Sequence, residues 1–287
     1  MQKIMMKNKD FAAFILTHGR PDNVITYKSL LKSGYTGKIY IIIDNEDKTA
    51  KQYYKNFGDK VIMFDKLAIS KTFDQADNFD DRRAIVYARN ACFDIANDLG
   101  LKYFIQLDDD YYEFNYKYEA DLTYRQHRIK NIDSIFDIML QYYKSINVKS
   151  IAMAQCGDFI GGDNEVKKLK LKRKCMNTFI CSTERPFQFL GRINEDVNTY
   201  TNYQSKGSVF LTIYNLAINQ LSTQSNDGGM TDIYMDSGTY IKSFYSVMFQ
   251  PSSVLIRPMG VINRRLHHSV KWKNTVPVIL NEEHKKV

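Results

Sequence analysis

The chain has 287 residues, of which 44% are hydrophobic and 13% aromatic, a composition that excludes a disordered polypeptide and allows one large domain or two small ones. The excess of Lys and Arg over Asp and Glu, 40 against 32, gives a formal charge of +8. It favours an anionic partner (nucleic acid, a membrane surface or a phosphorylated substrate) without choosing among them, and solubility alone is the alternative reading. Cys92, Cys156, Cys175 and Cys181 lack the two-residue spacing of zinc and redox motifs, the N-terminus has no apolar signal core, and no apolar run approaches the roughly 20 residues that cross a bilayer. The expectation is a soluble cytoplasmic protein with no membrane partner.

In chain order, Phe11 to Leu16 reads as a buried strand that stops at Thr17-His18-Gly19-Arg20-Pro21. Asn23 to Lys32 has helical spacing, with Gly34 as its stop. Lys38 to Ile43 is a second buried strand, ending at Asp44-Asn45, and Val61 to Phe64 a third. Arg82 to Leu99 places Ile85, Ala88, Cys92, Ile95 and Leu99 on one helical stripe closed by Gly100. Tyr103 to Leu107 is a further strand and runs into Asp108-Asp109-Asp110. Beyond it, Ile132 to Ile146 reads as helix, Ser150 to Ala154 and Val209 to Ile213 as strands, Asp227-Gly228-Gly229 as a turn, Ser237 to Phe249 as helix, Val254 to Arg257 as a short strand, and residues 271–287 as a peripheral tail. Strands alternating with helices predict an α/β fold with a mainly parallel central sheet. Neither an internal repeat nor a Pro/Gly-rich linker interrupts it, so one domain over 1–287 is expected.

Ligands of open parallel sheets sit beyond the carboxyl ends of the strands. Thr17 to Arg20, Asp44 and Asp108 to Asp110 all follow strand ends. Three adjacent carboxylates repel one another unless a cation offsets them, and Mg²⁺ or Mn²⁺ takes one or two carboxylates together with phosphate oxygens. In strand-like geometry Asp108 and Asp110 share a face and Asp109 takes the other; a solvated acidic turn is the alternative. Arg82, Arg83 and Arg89 lie on the preceding helix, and Arg89 is the best placed to bind a diphosphate or to pair with the aspartates. Gly19 allows close backbone approach to a nucleotide. Glu195-Asp196 is a second acidic pair, read either as a general base opposite the diphosphate or as a helix start. His267-His268 offers one imidazole for a metal. Lys167 to Lys174, with Lys168, Lys170, Lys172 and Arg173, is either a phosphate-tracking strip or a solvated loop.

Together these residues resemble glycosyltransferases of the GT-A fold. The resemblance makes Asp108-Asp109-Asp110 the Asp-x-Asp metal motif, Ala88-Arg89-Asn90-Ala91 the helix before it, Thr17 to Pro21 the first nucleotide-binding turn, Asp44 the nucleoside-binding acid, Glu195-Asp196 the acceptor-side motif with Asp196 as base, and His267 or His268 the late metal ligand. A narrower likeness lies in Gly191-Arg192-Ile193-Asn194-Glu195-Asp196-Val197-Asn198-Thr199-Tyr200 and in Thr223-Gln224-Ser225-Asn226-Asp227-Gly228-Gly229-Met230-Thr231-Asp232. Both segments resemble the TET/JBP-associated glycosyltransferases, found mainly in bacteriophages. That implies sugar transfer from a nucleotide-diphosphate sugar, a UDP-sugar first, to a 5-hydroxymethylpyrimidine such as 5-hydroxymethylcytosine in DNA, with Mn²⁺ or Mg²⁺. Residues 10–125 would form the nucleotide-sugar half and 126–270 the acceptor half. Donor contacts would come from Thr17, Gly19, Arg20, Asp44, Arg89, Asp108 and Asp109. The competing readings are a protein or polysaccharide acceptor, a metal-dependent nuclease, and a non-catalytic DNA-binding module.

Overall fold

The computed structural model describes residues 9–77, 79–158, 172, 174–221, 241–260 and 264–284. The turn at Asp227-Gly228-Gly229, the motif segment 223–232, and Lys168, Lys170 and Arg173 of the basic strip lie outside those residues.

Phe11–Leu16 forms β1, six residues buried without exception. It is flanked in parallel by β2 (Lys38–Asp44) and β4 (Tyr103–Asp108), and β3 (Val61–Phe64) extends the block beyond β2. Strands covered on both faces have no polar side to alternate with, which is why these segments read as continuous apolar runs. Alternate residues still go to opposite layers. Phe11, Ala13 and Ile15 join one core beneath α5 (Ile132–Ser145), with Phe136 and Met139; Ala12, Phe14 and Leu16 join the other, with Tyr87 and Cys92 of α4 (Val86–Asp98). Burying one such large side chain stabilises by roughly 1.5–3 kcal/mol, so these two core layers anchor the parallel block.

The register of that block gathers the strand ends. Leu16 lies opposite both Ile42 and Asp108, and Asp44 opposite Phe64. The turn after β1, the end of β2 and the acidic triplet therefore share one edge of the sheet. Thr26 of α1 (Ile25–Lys32) fastens the triplet: its amide donates to the Asp109 carbonyl (3.0 Å), its hydroxyl to the Asp108 carbonyl (2.6 Å), and the Tyr111 amide donates to that hydroxyl (2.8 Å).

Past the triplet the chain enters β5 (Tyr111–Tyr118), unforeseen because its start is hidden against three charges. The nine-stranded sheet has the order β3-β2-β1-β4-β8-β7-β9-β5-β6, with β6 (Tyr124–Arg128), β7 (Ser150–Gln155), β8 (Phe179–Ser182) and β9 (Phe210–Gln220). Beyond β4 the sheet is mixed: β8 runs antiparallel to β4 and β7, β9 is parallel to β7, and β5 is antiparallel to β9 and β6. Expected as Val209 to Ile213, β9 continues to Gln220 because its second half pairs with β5.

Helix α4 starts at Val86 rather than Arg82, since Arg83 is drawn into an Asx-type turn, its amide donating to the Asp81 carboxylate (3.1 Å). The remaining helices are α2 (Ala50–Phe57), α3 (Lys66–Ser70), α6 (Glu195–Ser205), α7 (residues 241–249) and α8 (Trp272–Thr275). Strands β10 (Val254–Met259) and β11 (Arg265–Val270) form a separate antiparallel ribbon. The tail folds back on the body: the Asn281 amide donates to the Gly207 carbonyl (3.0 Å), and Glu283 pairs with Lys149 (3.0 Å).

Candidate active site

The turn after β1 is held from several sides. The Thr17 hydroxyl donates to Asp109 Oδ2 (2.6 Å) and meets the Tyr53 hydroxyl (2.8 Å); the Arg20 amide donates to that same Tyr53 oxygen (2.8 Å). Gly19 has φ +72°, a left-handed value that favours glycine, and its amide donates to Asp47 Oδ2 (2.7 Å). The Arg20 guanidinium lies 3.3 Å from Asp109. Asp44 is buried and occupied: Oδ2 accepts from His18 Nδ1 (2.7 Å) and Lys66 Nζ (3.2 Å), and Oδ1 from the Glu46 amide (3.1 Å). Burial works against its charge, but His18 and Lys66 outweigh it and hold the carboxyl below the ordinary range. The exposed member of this set is His18, so it is the imidazole edge that faces outward at the end of β2.

The three aspartates diverge. Asp109 turns to Thr17 and Arg20, whereas Asp108 turns to Arg89 Nη2 (2.9 Å). Arg89 also donates through Nε to Glu195 Oε1 (2.9 Å) and lies over the rings of Phe179 and Phe189. It is 2% exposed. The sequence left open whether Arg89 binds a diphosphate or pairs with the aspartates. The structure takes the second: the guanidinium is sealed between α4, β4 and α6, and its outlets are Asp108 and Glu195. Removing such a buried cation would strand two carboxylates.

Asp110 is different. Among the described residues it has no cation within 4 Å and no side-chain hydrogen bond. Burial, and then the charges of Asp108 and Asp109, push its carboxyl up to about 7. Burial likewise raises Asp108 and Asp109, although Arg89 and Arg20 pull each part-way back. An acid so destabilised by its neighbours is relieved by a cation, and Mg²⁺ and Mn²⁺ accept carboxylate oxygen alongside phosphate oxygens. Among the described residues no three His, Cys, Asp or Glu side chains form a preformed metal-binding group. The donor set therefore fits a divalent ion that completes its shell with substrate oxygens and water.

On the acceptor side, the sequence around Glu195-Asp196 explains its own placement. Gly191 has φ +78°, and a Cβ there would meet Asn198 Nδ2 and lie 2.6 Å from the Phe249 ring. Arg192 is buried between Asp77 (3.0 Å), Asp81 (3.1 Å) and the Tyr245 hydroxyl (3.1 Å). Asn194, left-handed at φ +56°, donates to the Lys242 carbonyl of α7 (2.7 Å) and lies 3.4 Å from His268 Nδ1 of β11. These ties set the start of α6. Asp196 is buried there, and its carboxylate accepts from the Val197 amide (2.7 Å). Burial first, then the charge of Glu195, raises it to about 7, against partial opposition from Arg89 and Lys242. His267 and His268 are held below the ordinary histidine range, first by burial, so both are neutral and competent as ligands. The structure sets His268 beside Asn194. It does not gather either histidine with Asp108 and Asp110 into a three-ligand cage. Lys172 is exposed, while Lys174 pairs with Asp158 (3.3 Å). Arg82 and Arg83 pair with Glu46 and Asp81 on the surface.

Sequence reading missed Thr26, Asp47, Tyr53, Lys66 and Lys242. Asp47-Lys48-Thr49 carries a turn signal, since Asp47 accepts from the amide and hydroxyl of Thr49. Tyr53 sits mid-helix with nothing to mark it.

The sequence from residue 11 to residue 229 matches the TET-Associated Glycosyltransferase family. The chain belongs to that family. The match contains the turn after β1, the acidic triplet and Glu195-Asp196, and ends before α7 and the β10–β11 ribbon. No curated protein matches the chain. Solved structures of similar fold include glucosyl-3-phosphoglycerate synthase from Mycobacterium tuberculosis in complex with Mn²⁺, UDP and phosphoglyceric acid, at 7% identity over 91% of this chain and 86% of that one (TM-score 0.45). Another is a mycobacterial protein, at 8% identity over 92% and 85% (TM-score 0.46). Likenesses so remote say nothing of individual site residues. This chain is thus a glycosyltransferase by family, and no helix among its described residues is long and apolar enough to cross a membrane.

Proposed function

We propose that this enzyme transfers the sugar of a UDP-sugar to the hydroxymethyl oxygen of a 5-hydroxymethylpyrimidine, 5-hydroxymethylcytosine first, in DNA. One observation carries the catalytic part: among the described residues Asp110 and Asp196 have no ion pair within 4 Å, and Arg89 links their neighbours Asp108 and Glu195. The family name and the charge of +8 support the DNA acceptor.

In this reading Thr17, Gly19, Arg20, Asp44 and Asp109 shape the donor side, with His18 presented by Asp44 at its rim. Arg89 is a positioning residue that bridges and orients Asp108 and Glu195. Asp108 and Asp110 are the proposed ligands of a divalent ion, Mn²⁺ or Mg²⁺, which when bound would neutralise the diphosphate as it departs; the expected third ligand, His267 or His268, is not gathered with them among the described residues. Asp196 takes the proton of the acceptor hydroxyl while that oxygen forms its bond to the anomeric carbon and the bond to the β-phosphate oxygen breaks. A carboxyl near 7 is well matched to that task at neutral pH, and attack from the side opposite the leaving group inverts the anomeric centre. Lys168, Lys170, Lys172 and Arg173 are the proposed contacts to the DNA backbone, and a base in a duplex is flipped out for a few kcal/mol.

The test is mass spectrometry of plain and hydroxymethylated DNA after incubation with a panel of sugar nucleotides, with and without Mn²⁺. A hexose or pentose mass increment on hydroxymethylated DNA alone is expected. Transfer to a protein or polysaccharide, with none to DNA, would overturn the acceptor; strand cleavage without a sugar nucleotide would overturn the reaction class.

A further inference from the structure

Between Asp236 and Glu282 the chain carries Lys242, Arg257, Arg264, Arg265, Lys271 and Lys273 and no acidic residue. The ribbon occupies the middle of this stretch. Its base is fastened to the acceptor side: Val254 is fully buried, the Ser243 hydroxyl of α7 donates to the Leu266 carbonyl (3.1 Å), His268 lies against Asn194, and Trp272 stacks on Tyr200 of α6 at 5.8 Å. Arg257, Pro258, Met259, Gly260, Arg264 and Arg265 are all exposed, and among the described residues none of the three arginines has an acid within 4 Å. Met259 pairs across the ribbon with Arg265 and shares a face with Arg257, two residues away. From Val254 to Met259 a strand spans about 17 Å at some 3.3 Å per residue.

Exposed arginines with no acid within 4 Å among the described residues lie beside an exposed methionine, a surface complementary to a polyanion. A two-stranded ribbon fits a groove of duplex DNA, and proteins that unstack a base step from the minor groove do so with Met, Leu, Ile, Phe or Pro wedges. Resting on the reading of a DNA acceptor, we propose that the β10–β11 ribbon is a duplex-docking arm, in which Arg257, Arg264 and Arg265 grip phosphates and Met259 wedges into the step from which the acceptor base is flipped. The arm is bolted through His268 and Asn194 to the start of α6, so docking sets the flipped base against Asp196. It lies outside residues 11–229, the part shared with the family.

The experiment compares the full-length protein with an Arg257→Ala, Arg264→Ala, Arg265→Ala triple variant, by fluorescence anisotropy on hydroxymethylated duplex across a salt series, alongside vesicles of anionic phosphatidylglycerol. These side chains are exposed, so melting behaviour and UDP binding stay at wild-type values. The triple variant should bind duplex at least about tenfold more weakly at 0.1 M salt, and its log–log salt slope should be shallower by about 2–3, one phosphate contact per arginine. Met259→Ala should slow transfer to duplex while sparing the same sequence as a single strand. An unchanged slope in the triple variant, with DNA still glycosylated, overturns the arm and leaves the acceptor reading standing. Wild-type protein that neither binds nor modifies duplex overturns both. Loss of vesicle binding in place of duplex binding reassigns the arm to a membrane surface and overturns the proposal.

Discussion

The donor edge and the acceptor edge of the site neutralise their acids in different ways. At the donor edge Asp44 is matched by His18 and Lys66, Asp109 by Arg20 and Thr17, and Asp108 by Arg89, all at the strand ends of the parallel block. Among the described residues Asp110 of the triplet is left without an ion pair. At the acceptor edge Asp196 stands at the start of α6, held by a left-handed asparagine and by contacts from α7 and β11. Environment, not residue type, separates Asp44, held below the ordinary carboxylate range, from Asp110 and Asp196, raised to about 7, and groups whose environments push their pKa values apart mark the division of chemical labour.

That contrast can be broken most severely at the two unpaired acids. Asp196→Asn should lower kcat by about 10²–10⁴ while leaving UDP-sugar binding intact, as expected for loss of a general base. In the parent enzyme, transfer should rise with pH through about 7. Single-turnover transfer and calorimetric donor binding separate the two effects, and a normal turnover rate in the variant would remove Asp196 from the mechanism. Asp110→Ala should abolish metal-stimulated transfer and weaken Mn²⁺ binding with little loss of fold.

Next in size is the bridge between the edges. Arg89→Met should cost about 3–5 kcal/mol, read as a shift of denaturation midpoint, because it leaves Asp108 and Glu195 without their shared cation. A loss below 1 kcal/mol would mean the bridge is dispensable.

A smaller effect follows from linkage. Asp108, Asp109, Asp110 and Asp196 all have folded-state values raised above the unfolded 3.8. The folded protein therefore binds these protons more tightly than the unfolded chain, and their contribution falls as pH rises from about 4 to about 7. Melting of the metal-free protein should show stability falling between about pH 6.5 and pH 8, where Asp110 and Asp196 ionise; below pH 6.5 the lowered values of His267 and His268 oppose the trend, and Mn²⁺ should narrow the fall. The smallest effect is expected at Arg82, whose surface pair with Glu46 makes Arg82→Ala worth less than about 1 kcal/mol by thermal melting. A larger loss would show that the loop before α4 is coupled to the site.

The readable parts of this protein were those with local causes. The strands at Phe11, Lys38, Val61 and Tyr103 are continuous apolar runs because both faces are covered, and Gly34 and Gly100 end their segments with positive φ. Strand β11 went unread because Arg265-Leu266-His267-His268-Ser269-Val270 shows no regular apolar alternation and takes its structure from pairing with β10. β5 was hidden because it starts directly after the acidic triplet.

From its own residues the sequence determined that an acidic triplet follows a buried strand, beside a glycine turn and a second acidic end, and that Glu195-Asp196 lies in a distinct segment. It could not determine which acid keeps its proton. That depends on how deeply the fold buries each acid and on which charges it brings near: Arg89 comes from 19 residues before Asp108 and 106 before Glu195, and Arg20 reaches Asp109 from the neighbouring turn after β1. Local propensity records backbone preference and burial, whereas the charge state of a carboxylate is set by what the tertiary fold brings within about 4 Å of it.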